Sequence, residues 1–266
     1  MERLAYTETG DPEGPQVWII HGIMGSSRNW GMMVKRLHKT YPHLRIISLD
    51  LRCHGESSDM SGPHSVTRCA EDLNQLTAVL GKPQCIIGHS FGGKVALCYA
   101  SLFASGLEMV WTLDSPLDDE MLLGHREIAK MIDACQSMPT PLETRAGVID
   151  YFTTRGFSLG VAQWMTTNLK RTSLGFEWRF NLEGIQDLIQ DYWSIDGWAL
   201  LEEIPRSTQL YLLRAERGLR WSDEAIQRIA AVAPHISTPI LEDSGHWVHV
   251  DQLDALIDML DILNDL

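Results

Sequence analysis

Ser90 stands in the run Gly88-His89-Ser90-Phe91-Gly92-Gly93, directly after the apolar stretch Cys85-Ile86-Ile87 and before a helix-compatible segment. The G-x-S-x-G spacing therefore falls where a strand would turn sharply into a helix. A serine in such a turn is pushed outward at the sheet edge, and glycines two before and two after it remove Cβ atoms that would clash. That placement suits a nucleophile. The alternative is a serine that merely caps a helix, with Gly93 serving close helix packing.

A serine hydroxyl needs a base within hydrogen-bond reach, usually histidine. Of the ten histidines, His246 is the best placed, because Asp243-Ser244-Gly245-His246-Trp247 follows the last strand-like run and precedes the last helix. His235 and His249 compete less well, and His249, at the start of that helix, either lines the cleft or is a partly exposed helical residue. A third group must orient the imidazole and stabilise its charge. Asp114 ends the strand-like run Glu108–Leu113 and is the favoured acid, with Glu216, after the run Thr208–Leu213, as the alternative. Asp223 fits better as a first-turn helix acid. Acyl transfer also needs donors for the developing oxyanion. The backbone N–H groups of Phe91 and of Ile23, in the loop His21-Gly22-Ile23-Met24-Gly25-Ser26, are the expected pair. Met24, His89 and Trp247, together with Trp164, Arg179 and Trp193 further along, are the expected substrate contacts.

These groups must be positioned by alternating elements. Strand-like runs are expected at Gln16–His21, Arg45–Leu51, Cys85–His89, Glu108–Leu113, Thr208–Leu213 and Thr238–Glu242, and helices at Asn29–Lys39, Ser65–Leu80, Phe91–Ala104, Ser222–Ala233 and Val248–Leu260. Short β-branched runs between amphipathic segments imply a mainly parallel sheet covered by helices on both faces, an α/β class. The alternation stops after Leu113 and resumes near Thr208. The intervening stretch is rich in tryptophan and broken by prolines and glycines, and it is too long for an ordinary connection. It reads as a helical cap of residues 115–206 inserted into a core of residues 1–114 and 207–266.

Composition narrows the partners. The chain has 266 residues and a formal charge of −13, which repels phosphate backbones and anionic lipid. Nucleic acid and membrane insertion are not expected, and a small-molecule substrate is. Five cysteines without a CxxC pair indicate neither a disulfide framework nor a zinc site. No cofactor or metal motif stands out, and the absence of an early apolar run suggests a cytoplasmic protein.

His21-Gly22-x-x-Gly25-Ser26, Asp50-Leu51-Arg52-Cys53-His54-Gly55-Glu56-Ser57, Gly88-His89-Ser90-Phe91-Gly92-Gly93-Lys94 and Gly245-His246-Trp247 together resemble the α/β-hydrolase superfamily over nearly the whole chain. With Glu177-Trp178-Arg179-Phe180-Asn181, they are similar to the small bacterial YbfF-like esterases and their mitochondrial relatives. The resemblance implies hydrolysis of short-chain esters, in some members of acyl-CoA thioesters, with the triad acid after the strand that follows the nucleophile helix, hence Asp114. It implies a structural role for His54 and Gly55. Arg214-Ala215-Glu216-Arg217 departs from the glycine-rich stretch typical of that branch. C–C bond hydrolases and menaquinone-pathway lyases share the same Ser and His, and would need a carboxylate anchor such as Arg28, Arg171 or Arg179. A hydrolase-fold scaffold without activity is the non-enzymatic alternative.

Overall fold

The computed structural model describes residues 2–118, 122–139, 141, 143–218 and 220–266. In chain order the elements before the long insertion are β1 (Tyr6–Gly10), β2 (Gln16–Ile20), α1 (Gly31–Thr40), β3 (Arg45–Leu49), α2 (Val66–Leu80), β4 (Cys85–His89), α3 (Phe91–Phe103) and β5 (Met109–Leu113). The next stretch holds α4 (Leu122–Gln136), α5 (Arg145–Thr154), α6 (Leu159–Met165), β6 (Leu169–Thr172), β7 (Gly175–Trp178), α7 (Leu182–Ser194) and α8 (Gly197–Glu203). The chain then returns to the sheet through β8 (Gln209–Ala215), α9 (Asp223–Val232), β9 (Ile240–Leu241), α10 (Val248–Asp251) and α11 (Leu253–Met259).

The main sheet has the order β1-β3-β2-β4-β5-β8-β9. All its pairings are parallel except that of β1 with β3. Every residue of β2, β4 and β5 is buried, as strands covered on both faces require. Successive side chains point to opposite faces, and the core divides accordingly. Trp18, Ile20, Ile86 and Val110 join one apolar cluster, while Val17, Ile19, Ile87 and Trp111 join the other. The first cluster also takes in Val148, Phe152, Ile185 and Leu188 from the inserted stretch, so that stretch and the sheet share one core.

Ser65 and Ser222 cap α2 and α9 as expected, accepting from Arg68 N–H and Ala225 N–H. Three features depart from expectation. The edge strand β1 is polar and half exposed, so it carries no apolar signature. The inserted stretch includes the antiparallel hairpin β6–β7 besides its helices. The last helical run breaks at Gln252 into two short helices. All five cysteines are free and buried. Among the described residues no helix is long and apolar enough to cross a membrane.

Candidate active site

Ser90 sits between β4 and α3 with φ 51° and ψ −117°, a conformation rarely adopted by residues with a Cβ atom and tolerated where the surroundings hold it. Its N–H donates to Leu113 O at 3.0 Å and its carbonyl accepts from Gly93 N–H at 2.9 Å. The flanking glycines are sterically required. A Cβ on Gly88 would overlap Gly92 O, and one on Gly92 would lie 2.5 Å from His21 O. At Gly93 it would meet Ser115 Cβ at 2.5 Å.

Asp114 follows β5, is fully buried and has φ 48°. Its Oδ2 lies 2.8 Å from His246 Nδ1, and its Oδ1 accepts from Ala215 N–H at 3.2 Å. A Cβ on Gly218 would come within 2.5 Å of the same carboxylate, so the chain after β8 passes directly over it. With Nδ1–H donated to Asp114, the Nε2 lone pair of His246 is left for a proton. Glu216, the alternative acid, turns elsewhere: its Oε2 accepts from Asp243 N–H at 2.8 Å.

Burial pushes His246 well below the ordinary histidine value, with the Arg220 charge the next contribution. Burial raises Asp114, and the Ala215 N–H offsets part of that. The imidazole therefore rests neutral, as a general base must. His89 donates from Nε2 to His246 O at 2.8 Å and is pushed down to about 3, chiefly by burial. It thus supports the backbone of the base. His249 is buried as well, not partly exposed, and stacks on Trp30 with centroids 4.1 Å apart.

The loop carrying Ile23 is held by a chain of local bonds. Leu51 N–H donates to His21 Nε2 at 3.0 Å, and Met24 N–H donates to His54 Nε2 at 2.9 Å. The opposite ring nitrogens donate to Gly22 O and Arg52 O, each at 2.8 Å. Both imidazoles thereby have a fixed tautomer, and burial lowers both. Arg52 in turn forks onto Asp72 at 2.7 and 3.1 Å. This lattice leaves Met24 at φ 57° and brings Gly22 against Ser90, where a Cβ would be 3.4 Å from the serine Cβ. Ile23 lines both pockets that reach Ser90, and Phe91 opens α3 directly after the serine, where a helix's first amides lack intrahelical partners.

A cavity of about 550 Å³ opens beside these groups and is lined by Ser90 and His246. Of the expected substrate contacts, Met24, His89, Trp164 and Trp247 line it, as does Ile23, and Trp164 packs edge-on against Trp247 at 4.6 Å. Trp193 lines instead a pocket of about 20 Å³ on the other side of Ser90, together with Phe91. That volume holds little more than one water. Arg179 does not line either cavity. It pairs with Glu56, as does Arg28, because the partner carboxylate lies far away in sequence and its proximity is set by the fold. Lys130 and Arg220, which sequence reasoning overlooked, face the large cavity, as does Arg217 from the stretch that departs from the family pattern. Position just after β8, on the active edge, was the available signal for Arg217 and Arg220.

Comparison with known proteins bears on the family and the fold. The chain is 26% identical over 255 residues to the esterase YbfF of Escherichia coli K12, covering 95% of this chain and 94% of that protein. It is 25% identical over 253 residues to an sn-1-specific diacylglycerol lipase of Danio rerio, covering 91% of this chain and 76% of the relative. A solved marine microorganism esterase superposes with a TM-score of 0.83 at 21% identity over the whole of both chains. The model of the alpha/beta hydrolase family matches residues 19–259. That match spans most of the chain, and the chain belongs to the alpha/beta hydrolase family.

Proposed function

We propose that the protein is a serine hydrolase of carboxylic esters with short to medium acyl chains. The observation that carries this reading is the 2.8 Å contact between His246 Nδ1 and buried Asp114, at the edge and in the cavity that Ser90 shares. His246 Nε2 takes the Ser90 proton as Oγ attacks the ester carbonyl. The tetrahedral oxyanion is held by Ile23 and Phe91 N–H, each such donor being worth about 3–4 kcal/mol of barrier. His246 then protonates the departing alkoxide, leaving an acyl-enzyme. Water deprotonated by His246 attacks that ester, and collapse returns the proton to Ser90 with release of the acid. Asp114 keeps the imidazole in the productive tautomer throughout.

The inserted residues 115–206 act in this reading as a cap. Trp164 from α6 closes over Trp247, and the cavity size fits a small-molecule ester. Relatives named as an esterase and a lipase support the same reaction class. The test is Ser90→Ala: hydrolysis of 4-nitrophenyl butyrate should fall by about 10³-fold or more, with an unchanged circular dichroism spectrum and loss of fluorophosphonate labelling. Turnover retained in a folded Ser90→Ala protein would refute the assignment.

A further inference from the structure

Arg220 lines both the large cavity and the small pocket that meet at Ser90. Its side chain is only 20% exposed, and its NH2 stands 3.5 Å from Glu127 Oε2, a carboxylate 76% exposed. Among the described residues, Glu127 is the carboxylate within ion-pair distance. So long a contact with a solvated glutamate is weak, and it engages one corner of a guanidinium that has five N–H donors. The Arg220 charge nevertheless reaches the reacting groups, since it contributes to lowering His246 and draws Asp114 down.

Lys130 and Arg217 face the large cavity too, where among the described lining residues Glu127 is the single carboxylate. Arg217 is turned towards Asp243, donating to its carbonyl and lying 3.6 Å from its carboxylate. Lys130 Nζ lies over the Phe157 ring, 4.5 Å from the centroid. A chain of charge −13 thus concentrates cations at its reaction cavity, where a neutral ester would make no use of them.

We propose that Arg220 reads a carboxylate on the substrate, so that the preferred ester carries an anionic group near its scissile carbonyl. The inference rests on the ester-hydrolase reading above. A planar guanidinium matches a carboxylate bidentately, and an incoming carboxylate would replace the distant Glu127 with a closer, better shielded partner. Lys130 and Arg217 supply the long-range field that draws the anion in.

The test compares matched chromogenic esters. Mono-4-nitrophenyl glutarate against 4-nitrophenyl pentanoate puts the charge in the acyl part. The pair 3-carboxy-4-nitrophenyl butyrate and 4-nitrophenyl butyrate puts it in the leaving group. Each kcat/KM is divided by the rate constant for hydroxide attack on the same ester. One anionic-to-neutral ratio should exceed about tenfold, the scale of one charge-assisted hydrogen bond. It should collapse to about one in Arg220→Gln, recover partly in Arg220→Lys, and fall as NaCl is raised. The ratio cancels any effect of Arg220 on the basicity of His246. Ratios at or below one in both pairs, or a high ratio that survives Arg220→Gln, would overturn the inference while leaving ester hydrolysis standing. Equal rates for wild type and Ser90→Ala on all four esters would instead remove the hydrolase reading, and this inference with it.

Discussion

A histidine that rests neutral, with one nitrogen tied to a buried carboxylate, gains basicity only as the reaction develops charge on it. The Asp114–His246 pair is built that way. Desolvation opposes an imidazolium at rest, while in the proposed mechanism the 2.8 Å contact with Asp114 would stabilise it once the serine proton arrives. The sign of the pH dependence follows from the lowered His246. The base is active when deprotonated, so kcat/KM should be flat through pH 7 to 8 and fall on acidification, with a midpoint below 6.5. Replacing Asp114 with Asn should release the tautomer and cut kcat by about 10⁴-fold. Glu216→Gln should leave kcat within about threefold, since its carboxylate serves Asp243 N–H and surface changes away from such pairs are small. Steady-state kinetics of the two variants across pH distinguishes them. If Glu216→Gln were the crippled one, the acid would have to be reassigned.

Elements, more than side-chain chemistry, decide whether that pair meets the serine. The turn into α3 works because backbone from two neighbouring segments crosses where Gly88 and Gly92 lack side chains. Gly92→Ala should therefore cost several kcal/mol or prevent folding, because the obstructing atoms are carbonyl oxygens. Gly31→Ala is the contrasting case. Gly31 opens α1 in right-handed geometry, with nothing within 4 Å of the added Cβ. The substitution should raise stability by about 0.5–1 kcal/mol. Urea denaturation of both variants measures the contrast.

Legibility in the sequence followed burial. Strands β2, β4 and β5 could be read because both faces are apolar, and the proposed Ser90, Asp114 and His246 were picked out because each follows a strand of the same sheet edge. The β1 edge and the β6–β7 hairpin escaped notice, as Thr7-Glu8-Thr9 and Lys170-Arg171 alternate too little apolar surface to stand out. Charges were the least legible. Arg179, expected at the substrate, is consumed by Glu56, whereas Arg220 owes its place to the path of the chain after β8.

At the scale of the whole molecule, the inserted stretch and the sheet are tied together by more than apolar packing. Asn168 Nδ2 donates to Met24 O at 2.7 Å, Val66 N–H donates to Asp191 Oδ2 at 2.7 Å, and Asn181 N–H donates to Cys53 O at 2.9 Å. The first of these anchors the loop that carries Ile23, so displacement of the insertion would also loosen the donor proposed there. The buried cysteines make that coupling observable. Burial pushes the Cys53 and Cys135 thiols up to about 12 and Cys98 to about 11, and raises Cys69 and Cys85 as well. Thiolate is the reactive form, so Ellman's reagent should find none of the five in the native protein and all five in guanidinium. On that expectation the native chain would be silent towards maleimide dyes without any cysteine being removed. Single cysteines placed at the exposed Leu174 of the insertion and Val232 of α9 would carry the only fluorophores, and energy transfer between them would report whether the distance changes during turnover.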